Sequence, residues 1–200
     1  MNEVKVLIPG FAEEHDGFEK VSPSVVLIKT NETKIIVDPG FNRQAILDAL
    51  DKENLITGQI NFVLLTHTHL DHCALVGMFE NAAILDNSDQ FLQDGTIKRQ
   101  DKDSLGDDIQ ILQTPGHDQF HCSVAIKTED KGMVVIAGDI FWWLDGNEPN
   151  KDRASLLNLE DPYVKDQIAL TESRKKILDI ADYIIPGHGN IFKNYERLNK

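Results

Sequence analysis

The segment Thr66-His67-Thr68-His69-Leu70-Asp71-His72 constrains this chain more than any other, because it sets four potential metal ligands within six residues. Three more lie far downstream: His117, Asp139 and His188. Each follows a short apolar run with strand character. Phe62-Val63-Leu64-Leu65 leads to His67, and Ile109-Gln110-Ile111-Leu112 leads through Thr114-Pro115-Gly116 to His117. Val134-Val135-Ile136-Ala137 leads through Gly138 to Asp139, and Tyr183-Ile184-Ile185 through Pro186-Gly187 to His188. A chain that obeys this pattern ends four strands at one edge of a sheet, around one metal centre.

Imidazole and carboxylate together suit Zn²⁺, Fe²⁺ or Mn²⁺ without thiolates. Residues two apart in an extended segment point the same way, so His67 and His69 can share an ion. Asp71 and His72 fall where the chain turns toward a helix expected over residues 74–79, and can face a neighbouring ion. An ion with an open position takes about three protein ligands. Seven candidates therefore imply two divalent ions, with the two oxygens of Asp139 able to bridge them. Water held between two metals becomes a nucleophile near neutral pH, and one metal can polarise a carbonyl or phosphoryl oxygen. The expected reaction class is hydrolysis. His15 and His121 stand outside the pattern and read as ordinary surface or core histidines. Asp71 also suits an N-cap of the following helix.

The run His67-x-His69-x-Asp71-His72 resembles the signature of the metallo-β-lactamase superfamily. Asp38, in Ile35-Ile36-Val37-Asp38-Pro39-Gly40, resembles that family's first motif, a carboxylate that orients a metal ligand. Thr114-Pro115-Gly116-His117, Ala137-Gly138-Asp139 and Pro186-Gly187-His188-Gly189 resemble the third, fourth and fifth, so the likeness covers nearly the whole chain. It implies an α/β fold: an αββα sandwich of two mixed sheets with helices on the outer faces. It also implies that His67, His69 and His117 hold one metal, that Asp71, His72 and His188 hold the second, and that Asp139 bridges. Asp71 would further orient or deprotonate the attacking water. The "THxHxDH" form and Gly138-Asp139-Ile140-Phe141 are most similar to small glyoxalase II and lactonase-type hydrolases. The stretches 22–40 and 114–141 are similar to metallo-β-lactamase domain-containing proteins.

Departures narrow the transfer. Class B1 β-lactamases carry Cys where this chain has Asp139. Glyoxalase II has a long helical extension, whereas twelve residues follow His188 here. Many acyl-homoserine lactonases place Tyr three residues after the bridging Asp, where this chain has Trp142. The basic arm of the superfamily's tRNA-processing nucleases has no counterpart.

Two hundred residues suffice for one domain, expected to span 1–200. No run is long and apolar enough for a membrane span, and the N-terminus lacks a signal pattern. Two cysteines, Cys73 and Cys122, make no disulfide framework, so a reducing cytoplasm is the simplest compartment. Net charge is −13, which opposes nucleic acid unless a basic patch overrides it. Lys98-Arg99 and Arg174-Lys175-Lys176 are the compact basic clusters, the second read as a solvated helix face.

Strands are expected over 24–29 and 34–38 around an Asn31-Glu32 turn, over 83–85, and as a hairpin of 123–127 with 133–137. A helix capped by Asn42 runs to about Asp51, and another starts at Asp161-Pro162. Residues 86–106 read as a surface helix and loop. Residues 142–161 should wall the site, where Phe141, Trp142 and Trp143 serve as substrate wall, core or homodimer contact.

The leading expectation is a dinuclear zinc hydrolase in which a metal-bridging hydroxide attacks a small lactone, ester or thioester. A phosphodiesterase or ribonuclease of the same superfamily is the alternative. An iron-dependent dioxygenase of the persulfide type, or a non-hydrolytic scaffold, is the third reading.

Overall fold

The computed structural model describes residues 2–100 and 105–198. Strands with unbroken apolar runs bury both faces, because each lies between another sheet and a helix. Val25, Val26, Leu27 and Ile28 are all buried. Their strand β4 (Val25–Lys29) belongs to a sheet with β1 (Glu3–Ile8), β5 (Lys34–Val37), β6 (Phe62–Leu64), β7 (Ala83–Leu85), β8 (Asp89–Phe91) and β9 (Ile97–Arg99), in the order β1-β4-β5-β6-β7-β8-β9. The second sheet orders β10 (Ile109–Gln113), β11 (Cys122–Thr128), β12 (Gly132–Trp142), β13 (Tyr183–His188) and β14 (Phe192–Lys193). Strands β2 (Phe11–His15) and β3 (Phe18–Ser22) form a separate hairpin. Both sheets are mixed. β5, β6 and β7 pair in parallel in the first, and β12 with β13 in the second.

Alternation along the strands sorts the side chains into layers. Val26, Ile28, Ile35, Val37 and Leu64 meet Val124, Ile126, Val134 and Ile136 between the sheets. Leu27, Ile36 and Val63 point outward onto Ile46 and Leu50 of α1 (Arg43–Lys52). Ala125, Val135 and Ile184 point outward onto Leu170, Ile177 and Leu178 of α4 (Gln167–Ile180). The result is a helix–sheet–sheet–helix sandwich, as the family resemblance implies. Asn42 caps α1 by accepting from the Ala45 N–H at 3.1 Å. Among the described residues no helix is long and apolar enough to cross a membrane.

Five local expectations are corrected. The helix over 74–79 is replaced by a short α2 (Leu70–Cys73) and a 3₁₀ turn at Val76–Met78. Gly40 N–H donates to the His72 carbonyl and Leu75 N–H to the Gly40 carbonyl, so these groups leave the helical ladder. His69, not Asp71, is the residue before α2.

Residues 86–106 hold β8 and β9 instead of a surface helix, with 101–104 outside the described residues. A tight turn at Asp94-Gly95 closes that hairpin, and Leu92 N–H donates to the Thr96 carbonyl.

The last long helix starts at Gln167, because Asp166 accepts from the Ile168 and Ala169 N–H groups and becomes the cap. Asp161 is engaged elsewhere. A short α3 (Arg153–Leu157) precedes it.

Arg174 is fully buried and is no part of a solvated basic face. Its guanidinium donates to the carbonyls of Ile140, Leu157 and Leu159 at 2.7, 3.4 and 2.6 Å.

Candidate metal centre

Asp38 organises the turn after β6. It has φ +49, a conformation that Asp tolerates better than most residues. Its carboxylate accepts from the Thr66 N–H at 2.8 Å, the Thr66 hydroxyl at 2.7 Å and His72 Nδ1 at 2.9 Å. Three donors from one turn thus converge on one buried carboxylate.

The histidines share a pattern. Nδ1 of His67 faces the Thr66 hydroxyl at 3.0 Å, and Nδ1 of His117 faces Asp161 at 2.8 Å. Nδ1 of His188 faces the carbonyls of Ser22 and Phe11 at 2.8 and 3.1 Å. Together with His72 on Asp38, four imidazoles are anchored through Nδ1 to oxygen. In its neutral form each presents Nε2 as an inward lone pair, the tautomer a metal ligand needs. His69 differs, placing Nδ1 at 3.0 Å from His67 Nε2 and 3.2 Å from His117 Nε2.

Asp139 stands between these rings. Its Oδ2 lies 3.6 Å from His67 Nε2, 3.5 Å from His117 Nε2 and 3.6 Å from His188 Nε2. Its Oδ1 lies 3.3 Å from His72 Nε2. Asp71 Oδ2 lies 3.3 Å from His188 Nε2 and 3.5 Å from His72 Nε2. The ligand atoms fall into two groups, each with its atoms within 4.8 Å of one another: His67, His69, His117 and Asp139; and Asp71, His72 and His188. His72 Nε2 and Asp139 Oδ1 are buried with no hydrogen-bond partner. Orphaned buried polar atoms of this kind require a partner. A donor set of nitrogens and carboxylate oxygens fits divalent zinc, iron or manganese.

Burial pushes His67 well down and His69 down, so both rings are neutral. Burial would raise the Asp139 carboxyl, but the positive charge of His72 and His188 outweighs it and holds the group well below the usual carboxylate range.

The sequence placed Asp139 at a strand end, whereas it lies inside β12, where pairing with β13 shifts register after Ile136 and after Gly138. Close approach makes the neighbouring glycine obligatory. A Cβ at Gly187 would overlap Asp139 Oδ1.

His121 is buried beneath the centre and belongs to neither ligand group. Burial pushes it down to about 3. The Asp139 N–H donates to its Nε2 at 3.1 Å, so Nδ1 carries the proton and donates to the Thr114 hydroxyl at 3.0 Å. Both ring nitrogens are thereby used in holding the Asp139 backbone. His15 is exposed beside Glu13, at 3.1 Å.

A cleft of about 340 Å³ opens onto Asp71, Asp139 and His188, walled by Val21, Leu70, Trp142, Leu144 and Tyr163. Of the three aromatics expected as a wall, Trp142 alone lines it. Phe141 and Trp143 point to the opposite side of β12 and pack on Phe192 in the helix-facing core. The Tyr163 hydroxyl donates to the Glu19 carboxylate on the cleft rim at 3.2 Å. Cys73 is half-buried, with its thiol 3.5 Å from the Thr68 carbonyl.

Sequence reasoning missed His121 as a support, and missed Asp161 and Tyr163 altogether. The residue types carried no signal. Asp161-Pro162 reads as a helix start, and only the folded chain brings Asp161 to His117.

Residues 19–87 match the model of the metallo-beta-lactamase superfamily. The chain is 34% identical to mouse metallo-beta-lactamase domain-containing protein 1, over 92% of this chain and 68% of that protein. It spans 62% of the length of the rat relative of that name. It is 30% identical to a Methanocaldococcus jannaschii protein named "Probable metallo-hydrolase", over 94% of this chain and 87% of that one. A solved quorum-quenching N-acyl homoserine lactone lactonase superposes with TM-score 0.64 at 20% identity, covering 94% of this chain and 91% of that one.

Proposed function

Because this chain belongs to the metallo-beta-lactamase superfamily, we propose that it is a dinuclear metal-dependent hydrolase of small lactones, esters or thioesters. The observation that carries this reading is the convergence of four Nε2 atoms on the two Asp139 oxygens, beside a largely apolar cleft that Asp139 and His188 line. His67, His69 and His117 would hold one ion, Asp71, His72 and His188 the other, and Asp139 would touch both. Zinc is the first metal to load, with iron and manganese next. Two divalent ions bound there would acidify a water held between them and polarise a carbonyl oxygen.

The chain's own groups do the rest. Asp71 lines the cleft, with its side chain 19% exposed. Burial pushes its carboxyl up, but the hydrogen bond from His188 and the His72 charge outweigh that and keep it ionised. An ionised carboxylate beside the attacked carbon can orient the water, accept its proton and return that proton to the departing alcohol or thiol. Val21, Leu70, Trp142 and Leu144 offer an apolar surface for an acyl chain. The likeness to a lactone-cleaving structure supports the carbonyl class.

Proton release by the zinc-loaded protein in weakly buffered indicator tests the reading, with His69→Ala as control. The panel holds short and long acyl lactones, a glutathione thioester, a β-lactam and single-stranded RNA. Release with lactone or thioester, lost in the variant, is expected. Release with RNA alone overturns the carbonyl reading in favour of a phosphodiesterase. Silence throughout, with one iron per chain, replaces it with the oxygenase.

A further inference from the structure

We infer that Asp161 is a positioning residue that fixes a metal-ligating ring and the substrate wall at once. This rests on the reading of His117 as a ligand and of the cleft as the substrate site.

The Asp161 side chain is fully buried. Its two oxygens are divided between two tasks. Oδ2 takes His117 Nδ1 at 2.8 Å. Oδ1 accepts the Trp142 indole N–H at 3.3 Å and the Tyr163 N–H at 3.0 Å. Trp142 and Tyr163 are neighbouring aromatic walls, with ring centroids 5.7 Å apart. One carboxylate therefore sets the ring orientation of a ligand and the lateral position of the surface a substrate meets.

The frame around it is stiff. Arg174 ties the carbonyl of Ile140, two residues before Trp142, to that of Leu159, two residues before Asp161. The spacing between the strand that carries the indole and the loop that carries the carboxylate is thus held from behind.

The chemistry requires a carboxylate at this point. Three N–H donors face it: His117 Nδ1, Trp142 Nε1 and the Tyr163 amide. An asparagine offers one acceptor oxygen and one NH₂ donor. Whichever way its amide turns, its NH₂ faces an N–H on one side. Asp161→Asn must release either the ligand or the wall, and a strained compromise disturbs both.

The test uses zinc alone as ligand and needs no substrate. Zinc affinity is measured by competition with a chromophoric chelator. The Trp142 indole N–H resonance is followed by ¹⁵N correlation spectroscopy and assigned by its loss in Trp142→Phe. In Asp161→Asn we expect zinc affinity lowered about 10- to 100-fold, the usual effect of losing an outer partner of a ligand. We also expect a displaced Trp142 resonance. Trp142→Phe should leave zinc affinity within about twofold of the unmodified chain, because it removes a donor and not the carboxylate.

Unchanged zinc affinity together with an unmoved Trp142 resonance in Asp161→Asn overturns the inference. If that variant fails to fold in a thermal melt, Asp161→Ala, which removes both acceptor oxygens, carries the same two readouts and is judged by the same outcomes. Failure of every substrate in the proton-release panel would sink the proposed function while leaving this test intact.

Discussion

The two sheets supply the candidate ligands in different ways. The first delivers His67, His69, Asp71 and His72 from one turn after β6, organised by a single neighbour, Asp38. The second delivers His117, Asp139 and His188 from three separate segments. Each is held by a different distant partner: Asp161 for His117, His121 for the Asp139 backbone, and the Phe11 and Ser22 carbonyls for His188. A local cluster is preorganised as soon as one turn forms. A dispersed set exists only when β12 and β13 pair, α4 docks and the β2–β3 hairpin folds over. Damage to the second sheet should therefore reach the centre from further away.

The largest effect belongs to the atom set that serves both groups. Asp139→Ala should lower bound metal, read by elemental analysis after dialysis, and activity together, each by more than about 100-fold, beyond the cost of losing an outer contact. Near-normal turnover with full metal loading would break the bridging assignment.

Asp38→Asn tests the local side. It leaves one of three donors without an acceptor, and metal affinity should fall about 10-fold or somewhat more. A loss larger than that of Asp139→Ala would invert the comparison.

Arg174→Met probes reach from a distance. It strands the carbonyls of Ile140 and Leu159 in the interior. Urea unfolding should show a loss of about 3 kcal/mol, the sum expected for two unsatisfied buried acceptors.

The smallest effect lies far from the centre. Hydrogen bonds from Lys29 and Lys5 pull the Glu53 carboxyl below its ordinary value. A lowered carboxyl contributes stability above the unfolded pKa and loses it as pH falls through the folded one. Glu53→Gln should cost well under about 1 kcal/mol at pH 7. The difference from the unmodified chain should vanish in acid.

The clustering of these seven residues was legible because reactive residue types are rare and their spacing after apolar runs is specific. The αββα layering was legible through the family resemblance, and the unbroken buried strands agree with it because they demand cover on both faces. Strands β8 and β9 were not: three-residue strands carry too little alternation to separate from polar loop. Arg174 was misread because a basic triplet on a helix looks solvated, and only the carbonyls of distant segments make its burial tolerable. Phe141, Trp142 and Trp143 could not be apportioned until strand direction was known, since alternation then sends Trp142 to the cleft and its neighbours to the core.

The bond from Asp161 to His117 has a consequence for how such proteins can be recombined. Residues 142–166 look like an exchangeable surface segment, the kind swapped between relatives to alter what a cleft admits. Here the segment also carries the anion that faces His117. On the proposed reading of His117 as a ligand, a transplant that brings in a new wall without a carboxylate at this place would arrive with metal binding weakened. The heritable unit is the segment and the histidine together.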